Sequence, residues 1–325
     1  MKLPRRRFLH LAAAAAVLPA AARTASAQSY PARPVRFVVS FPAGGPNDIL
    51  GRLMAQWLSE RLGQPFVVEN RPGASGNIGT EAVVRAPPDG YTLLLVGPAN
   101  AISGSLNQNL SFNFLRDIAP VAGITREPLV MVVHPSVTAK TVPELVADAK
   151  ANPGKIKMAS TGNGSSPHVT GELFKMMTGV DVVVVHYAGG GPALKAMIDG
   201  QAEMMFEPMS AAIEPIRTGK LRALAVTTAA RSQALPEVGT VGESVPGYEA
   251  SAVTGIGVPR NTPVEIIDKL NREINAAFTD PTMKARLADT GGAALPGSPA
   301  DFGKLIAEET EKWAKVIKFS GAKQN

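Results

Sequence analysis

Three segments rich in glycine and small residues each lie between an apolar run and a helical pattern. They span 41–46, 161–166 and 187–191. A strand that ends in a glycine turn and continues as a helix is typical of α/β folds, in which helices cover both faces of a parallel sheet. Ligands of such folds bind beyond the carboxyl ends of the strands, where the loops lead into helices. The three segments therefore indicate both the fold class and the position of a site.

The rest of the chain alternates in the same way. Short runs rich in β-branched residues predict strands at 35–41, 66–68, 91–96, 129–133, 156–160, 182–186, 203–206 and 224–227. Apolar residues at helical spacing predict helices at 46–62, 80–85, 142–151, 169–177, 189–198, 263–278 and 300–319. A chain of 325 residues suits two domains. We therefore predict two α/β lobes that are joined by short crossing segments.

The first 27 residues are similar to an export signal and are excluded from the fold. Basic residues within 2–7 precede an apolar stretch, 11–22, which is too short to span a bilayer, and small side chains at 25–27 offer a cleavage site before Gln28. The run Arg5-Arg6-Arg7-Phe8-Leu9 resembles the twin-arginine pattern, and a general secretory signal is the alternative. We expect the mature chain to start at Gln28 in the periplasm.

Charge and cysteine content exclude several classes of function. The net charge of +6 comes mostly from the first 27 residues, because the remainder holds 28 basic and 27 acidic side chains. It has no basic stripe with interleaved aromatic residues, so we expect no nucleic-acid partner. The absence of cysteine excludes disulfides, thiolate metal sites, a thiol nucleophile and a lipid-modified cysteine. No later run reaches about 18 apolar residues, so we expect no membrane span.

The glycine loops suit an anion. The first, 41–48, brings glycine backbone to a helix N-terminus, where free N–H groups and the positive end of the dipole favour negative charge. The second, 161–166, adds hydroxyl groups and an amide at another helix start, and the third sets Tyr187 beside 189–191. Neither a P-loop nor a dinucleotide fingerprint is present. Each loop could also be a turn needed only for folding, and both interpretations stay open at this point.

Signatures of catalysis are weak. The chain has no Gly-x-Ser-x-Gly elbow, and its acidic residues show no pairing that implies acid–base work. We therefore expect no enzyme activity, no catalytic residue, no metal and no cofactor. The alternative is an exported hydrolase or lyase that uses His168 with Ser165 or Ser166, which would require a Ser–His pair within hydrogen-bond reach.

Blocks along the whole mature chain resemble the Bug receptors, the solute-binding proteins of the tripartite tricarboxylate transporter family. The most specific are Glu69-Asn70-Arg71-Pro72-Gly73 and Gly219-Lys220-Leu221-Arg222-Ala223-Leu224. Further matching blocks lie at 30–36, 41–45, 62–65, 89–93, 153–155, 162–165, 270–271 and 311–313. The chain departs from the family pattern at Ala43, where a proline is usual.

The resemblance implies a two-lobed periplasmic-binding-protein fold, the Venus flytrap, in which each lobe is a mostly parallel sheet flanked by helices. We expect lobe 1 to comprise 28–127 and 253–325, and lobe 2 to comprise 128–252, with crossings near 126–129 and 250–254. The implied function is the capture of a small carboxylate for a membrane transporter, and a sensor protein is the alternative partner. We expect the receptor to be a monomer.

The resemblance also implies which residues contact the ligand. With Tyr187 and Glu207 added from the loop pattern and the family comparison, the expected set is Phe41, Gly44, Gly45, Asp48, Thr161, Gly162, Asn163, Gly164, Ser165, His168, Tyr187 and Glu207. Family members that bind amino acids tend to carry Asp at the position of Glu207, where it can meet an ammonium group. Glu207 keeps the charge but reaches one methylene further, so the sequence does not identify the carboxylate.

Overall fold

The computed structural model describes residues 30–107, 109–289 and 292–323. The expected export signal and its cleavage site lie outside these residues. Strands β1 to β10 span Val35–Val39, Phe66–Asn70, Thr92–Val96, Ile118–Val133, Lys157–Ser160, Val183–His186, Met204–Pro208, Arg222–Val226, Ser251–Pro259 and Ala293–Ala294. Helices α1 to α11 span Pro46–Leu62, Asn77–Val84, Pro98–Leu106, Phe114–Asp117, Val142–Ala151, Ser166–Thr178, Gly190–Ile198, Met209–Arg217, Val264–Ala277, Pro281–Asp289 and Pro299–Ser320. None of the helices within these ranges is long and apolar enough to cross a membrane.

Two sets of parallel strands form the centres of the two lobes. In the first, β1 lies between β2 and β3, and all three strands are parallel. In the second, β5 lies between β6 and β7 with the same direction. Each of these six strands leads into a helix, in the pairs β1–α1, β2–α2, β3–α3, β5–α6, β6–α7 and β7–α8. The predicted α/β class and two-lobed fold are confirmed.

The long strand β4 joins the two sheets. Its first part, from Ile118 to Pro128, pairs antiparallel with β9, and its last part, from Leu129 to Val133, pairs antiparallel with β7 and β8. The sheets are therefore more mixed than expected, because β4 and β9 run against the parallel strands beside them. The sequence predicted only 129–133 as a strand, since Pro120 and Gly123 interrupt the apolar pattern of the first part, and the register shifts beside both residues.

Hydrogen bonds and an ion pair join the segments near 126–129 and 250–254, where the chain is expected to cross between the lobes. Thr227 accepts from the backbone N–H of Leu129 and donates its hydroxyl to the Leu129 carbonyl, at 2.9 and 3.0 Å. Ala250 N–H donates to the Thr227 carbonyl at 2.9 Å, and Arg126 Nη1 lies 2.7 Å from Glu249 Oε1. Segments 126–129 and 249–251 therefore run side by side. The exact lobe boundaries stay a prediction.

Each lobe has its own core. Around β1 and β3, fully buried apolar residues such as Phe37 and Leu93 pack against α1 and α9. In the second core, Met131 of β4 and Phe206 of β7 pack with Phe174 of α6. Fully burying a side chain of this size contributes about 1.5–3 kcal/mol, so each set stabilises its sheet independently.

Helix α11 packs on both lobes. Phe302 and Ile306 belong to the core beside β3, whereas Trp313 and Ile317 belong to the core that contains Met131. Its N-terminus has a Ser298 capping box. The contacts of α11 therefore cross the lobe boundary expected from the chain order.

Candidate functional site

Six helices of the described chain begin at the carboxyl ends of parallel strands. In lobe 1 these are α1, α2 and α3, and in lobe 2 they are α6, α7 and α8. The first turn of a helix has backbone N–H groups without intrahelical partners, and the helix dipole adds partial positive charge. Each sheet therefore presents three helix N-termini at one edge. The glycine loops predicted three of the six, those of α1, α6 and α7.

The side chain of Asp48 fixes the first glycine loop through hydrogen bonds. Its carboxylate accepts hydrogen bonds from Gly44 N at 2.8 Å, Arg52 Nε at 2.9 Å and Asn70 Nδ2 at 2.9 Å. Asn70 Nδ2 also donates to the Phe41 carbonyl at 3.0 Å. The bond from Arg52, with those from Gly44 and Asn70, lowers the pKa of Asp48 to about 2, against the opposing effect of burial. Both oxygens of Asp48 are therefore engaged within the protein, so its geometry suits positioning of the loop.

A second segment, which the sequence did not single out as part of the site, packs against the first loop. Ala74 and Ser75 have left-handed backbone, with φ of 47° and 55°, a conformation that is strained for residues other than glycine and often found at functional sites. A Cβ on Gly76 would lie 3.5 Å from Cζ of Phe41. The Oγ of Ser40 is buried beside this segment without a hydrogen-bond partner among the described residues. The sequence feature that could have indicated this segment is the Arg71-Pro72-Gly73 block, which directly precedes Ala74.

His168 organises the second loop. Its Nδ1 accepts a hydrogen bond from Gly164 N at 2.9 Å, and its backbone N–H donates to Oγ of Ser165, the N-cap of α6. The side chain is buried, and burial, followed by the charges of His186 and Lys175, lowers the pKa of His168 to about 4. The ring is therefore neutral at pH 7, with its proton on Nε2 because Nδ1 accepts a bond.

The second loop also contacts α3 and the segment that follows α11. Gly164 has φ of +73°, and a Cβ there would collide with Cδ1 of Leu106 at the end of α3. Asn163 Nδ2 donates to the Lys323 carbonyl at 2.8 Å, beyond the end of α11. Thr161 is half-buried between these contacts and β5. The loop is therefore supported by α3 and α11 as well as by its own sheet.

The third loop begins with Tyr187, whose N–H donates to the Ser160 carbonyl at 2.9 Å. Its half-buried side chain packs beside the lobe 2 core, which favours a structural role for part of the ring. The preceding residue, His186, was not predicted. Its Nδ1 lies 2.7 Å from Ser160 Oγ, and its ring meets the His168 ring edge-on at 4.7 Å.

Glu207 is the penultimate residue of strand β7, lies opposite Val130 and is 3% exposed. Its Oε2 is buried and has no hydrogen-bond partner among the described residues. Burial, with a smaller contribution from the charge of Glu127, raises the pKa of Glu207 to about 8. Glu127 lies on β4, and its Oε1 accepts from both N and Oγ of Ser210 at 3.2 and 2.7 Å. The sequence did not predict Glu127, because no spacing along the chain links β4 to the start of α8.

A cavity of about 360 Å³ opens beside β4 and β9. Its wall combines the first turns of α1 and α8 with residues of β4, β9 and α10, and it is lined by Pro46, Asn47, Ile49, Leu50, Leu53, Thr125, Glu127, Ser210, Thr254, Arg286 and Asp289. Helix N-termini of both lobes therefore share one cavity. None of the twelve predicted contact residues lines it, although Pro46 directly follows Gly45.

The hydrogen bonds of the second loop leave no Ser–His pair of the kind that the hydrolase alternative requires. The hydroxyl of Ser165 donates to the Gly162 carbonyl at 2.7 Å, while Nδ1 of His168 accepts from Gly164 N. Two other Ser–His pairs occur in the described chain, both at 2.7 Å: Ser160 with His186, where the serine is fully buried, and Ser136 with His134, which is exposed and outside the second loop. A nucleophile must reach its substrate, so the buried Ser160 does not suit that role.

Comparisons with known proteins agree with the fold. The model of the tripartite tricarboxylate transporter family receptor matches residues 50–322. Protein BugT of Bordetella pertussis is 38% identical over 301 residues, which cover 92% of this chain and 92% of BugT.

Two solved structures are also similar. R. palustris Rpa4515 with adipate is 35% identical with a TM-score of 0.80, over 90% of this chain and 98% of that one. MatC from Rhodopseudomonas palustris, with bound malate, is 31% identical with a TM-score of 0.77, over 89% of this chain and 100% of MatC. The chain therefore belongs to the receptor family of the tripartite tricarboxylate transporters, which includes the Bug proteins and comprises solute-binding receptors.

Proposed function

We propose that this protein is an extracytoplasmic receptor that captures a small dicarboxylate between its two lobes for uptake by a tripartite transporter. The observation that carries the proposal is the set of six helix N-termini, three at the edge of each parallel sheet. An anionic group at each end of the ligand satisfies both edges, whereas a monocarboxylate satisfies one. Adipate and malate, the ligands of the two R. palustris proteins, are both dicarboxylates and support the same class.

The twelve predicted residues have different parts in this proposal. Backbone N–H groups near Gly45 and Gly162 bind the carboxylates, with Phe41, Thr161 and the other loop residues beside them. Asp48 and His168 act indirectly, since their side chains already bind Gly44 and Gly164. Tyr187 and Glu207 contribute to the lobe 2 side of the pocket. Ligand binding draws the lobes together by rotation about the crossing segments.

The ligand class is tested by thermal unfolding and calorimetry with purified protein that starts at Gln28. A panel of mono-, di- and tricarboxylates is compared with the diamide of each dicarboxylate, which has the same length but no charge. We expect a dicarboxylate to raise the melting temperature at saturation, because it binds the native state, and its diamide to have no effect. A protein that no carboxylate stabilises would refute the proposal. Native mass spectrometry of the same sample tests the expected monomer and detects any ligand that copurifies.

The proposed partner and location can be tested separately. Members of the family are periplasmic solute-binding proteins, and we propose that residues 1–27 direct export and are removed before Gln28. Substituting Lys for Arg5 and Arg6 blocks export if the twin-arginine route is used, and mass spectrometry identifies the mature N-terminus. Ligand uptake that requires both this protein and the membrane subunits supports transport, whereas binding without uptake supports a signalling partner.

A further inference from the structure

Glu207 and Glu127 are two acidic residues on the neighbouring strands β7 and β4, and their surroundings differ. Glu207 lies at the carboxyl end of β7, at the same sheet edge as the two strands that lead into the second and third loops. Glu127 lies on the neighbouring strand β4 and lines the interlobe cavity together with Ser210. The two carboxyl groups are close enough for the charge of Glu127 to act on Glu207.

Among the described residues, Glu127 has hydrogen-bond donors and Glu207 has none. Burial raises the pKa of Glu127 as well, but Glu127 accepts both the N–H and the hydroxyl of Ser210, and these bonds oppose that effect by stabilising its ionised form. Glu207 is 3% exposed, and its Oε2 has no partner within the described chain. A buried carboxylate without donors is costly, and a second negative charge nearby increases the cost. When two acids interact in this way, the one with fewer donors keeps the proton.

The other charged groups on the elements around β7 do not compensate. Lys157 lies on β5, and α8 carries Glu214 and Arg217. The titratable residues of α6 are Glu172, Lys175 and His168, whose ring is neutral at pH 7. Lys175 is paired with Glu172 at 2.8 Å, and Arg126 of β4 is paired with Glu249. Burial and Glu127, both of which favour the protonated form, are the influences that raise the pKa of Glu207.

We propose that Glu207 is a neutral carboxylic acid in this receptor and donates a hydrogen bond to a carboxylate oxygen of the bound ligand. The inference rests on the proposed dicarboxylate function. A neutral carboxylic acid donates a hydrogen bond, so this position selects a ligand with an acceptor there. An ionised carboxylate would instead select a ligand with a donor such as an ammonium group. The proton also allows an acidic residue to lie beside an anionic ligand without repulsion, as carboxylic acids held neutral in apolar sites do in other proteins.

The test measures affinity between pH 6 and about 9.5 for the dicarboxylate that binds most tightly in a panel of unbranched and hydroxylated C4–C8 diacids. For the native protein we expect affinity to fall about tenfold per pH unit once Glu207 ionises. Glu207→Gln keeps a neutral donor, so it retains affinity within about fivefold and loses the pH dependence. Glu207→Ala lacks the donor and binds about 10- to 100-fold more weakly. Glu127→Gln removes the nearby charge, so the fall begins at lower pH.

Glu214→Gln on α8 is the control, because it removes an exposed carboxylate and should leave the pH profile unchanged. Affinity that is constant or rises with pH, or E207Q binding as weakly as E207A, would overturn the inference while leaving the receptor function intact. Infrared spectra of the ligand-free protein provide a readout that needs no ligand. We expect the C=O stretching band of a protonated carboxyl at pH 7 that E207Q lacks, and its absence from the native protein would also overturn the inference. A native protein that binds no diacid refutes the proposed function instead.

Discussion

The carboxylate of Asp48 accepts a hydrogen bond from the backbone N–H of Gly44, with 2.8 Å between N and Oδ2. Asp48 is in the first turn of α1, and Gly44 is in the loop that precedes it, with φ of +81°. The bond joins the side chain of Asp48 to the loop four residues before it, and Arg52 Nε donates to the same oxygen at 2.9 Å. An acidic residue thus fixes the loop that we propose as an anion site.

Asp48→Asn should weaken both the loop and the fold. Asparagine keeps one oxygen that can accept a hydrogen bond but loses the negative charge that binds Arg52. We therefore expect a loss of about 1–3 kcal/mol in the free energy of unfolding and weaker dicarboxylate binding. Because the pKa of Asp48 in the folded protein is about 2, below its usual value, its stabilisation is present above about pH 4 and lost as pH falls toward 2. Urea unfolding between pH 2 and 7 measures both effects. Asp89→Asn is the control, since its ion pair with Arg33 is exposed and contributes little.

Gly164→Ala tests the contact between the second loop and α3. Gly164 and Gly179 have φ of +73° and +69°, so alanine pays a similar backbone cost of about 1–2 kcal/mol at either position. A Cβ at Gly179 meets nothing within 4 Å, whereas one at Gly164 collides with buried Leu106. We expect G164A to unfold at a lower temperature than G179A and to bind ligand more weakly. Equal melting temperatures and affinities would contradict the described contact.

His168→Asn should remove one source of acid instability while keeping the loop in place. Oδ1 of asparagine can replace Nδ1 as the acceptor for Gly164 N. The native histidine has its pKa lowered from 6.5 to about 4, so the unfolded chain binds a proton first and stability falls as pH drops from about 6.5 to 4. At pH 5 this amounts to about 2 kcal/mol.

The measurement is urea unfolding of both proteins at pH 7 and pH 5. We expect the difference between the two pH values to be smaller for H168N by about that amount, with similar stability at pH 7. The same loss in both proteins would mean that His168 is not the group responsible.

Trp313→Ala tests whether α11 ties the lobes together. Trp313 is 2% exposed in the lobe 2 core, and its Nε1 donates to Glu309 Oε2 at 2.8 Å. We expect a loss of about 3–5 kcal/mol in the free energy of unfolding, together with weaker ligand binding because α11 supports Asn163 through the Lys323 carbonyl. The other tryptophan, Trp57, is half-buried on α1 and offers a matched comparison. A larger loss in W57A than in W313A would contradict the central role of α11.

Local patterns determined much of the fold. An apolar run, a glycine turn and a helical period are properties of neighbouring residues, so the β1–α1, β5–α6 and β6–α7 units and the loops between them followed from the sequence. The same patterns missed residues 118–128 of β4, all of β9, and helices α3, α8 and α10. In these elements small residues or prolines interrupt the apolar period, and pairing with a distant strand or helix supplies the stability.

The sequence by itself therefore determined that this chain is a two-lobed α/β receptor with glycine loops at the carboxyl ends of its strands. Only the tertiary structure decided what the polar residues of those loops do. Asp48 and His168 bind their own loops because backbone N–H groups lie within 3 Å of them. Glu207 is set apart from an ordinary surface acid because the fold buries it near Glu127 and gives the donors of Ser210 to Glu127 instead. Charge and hydrogen-bond balance depend on distances between residues far apart in the chain, and no local pattern encodes those distances.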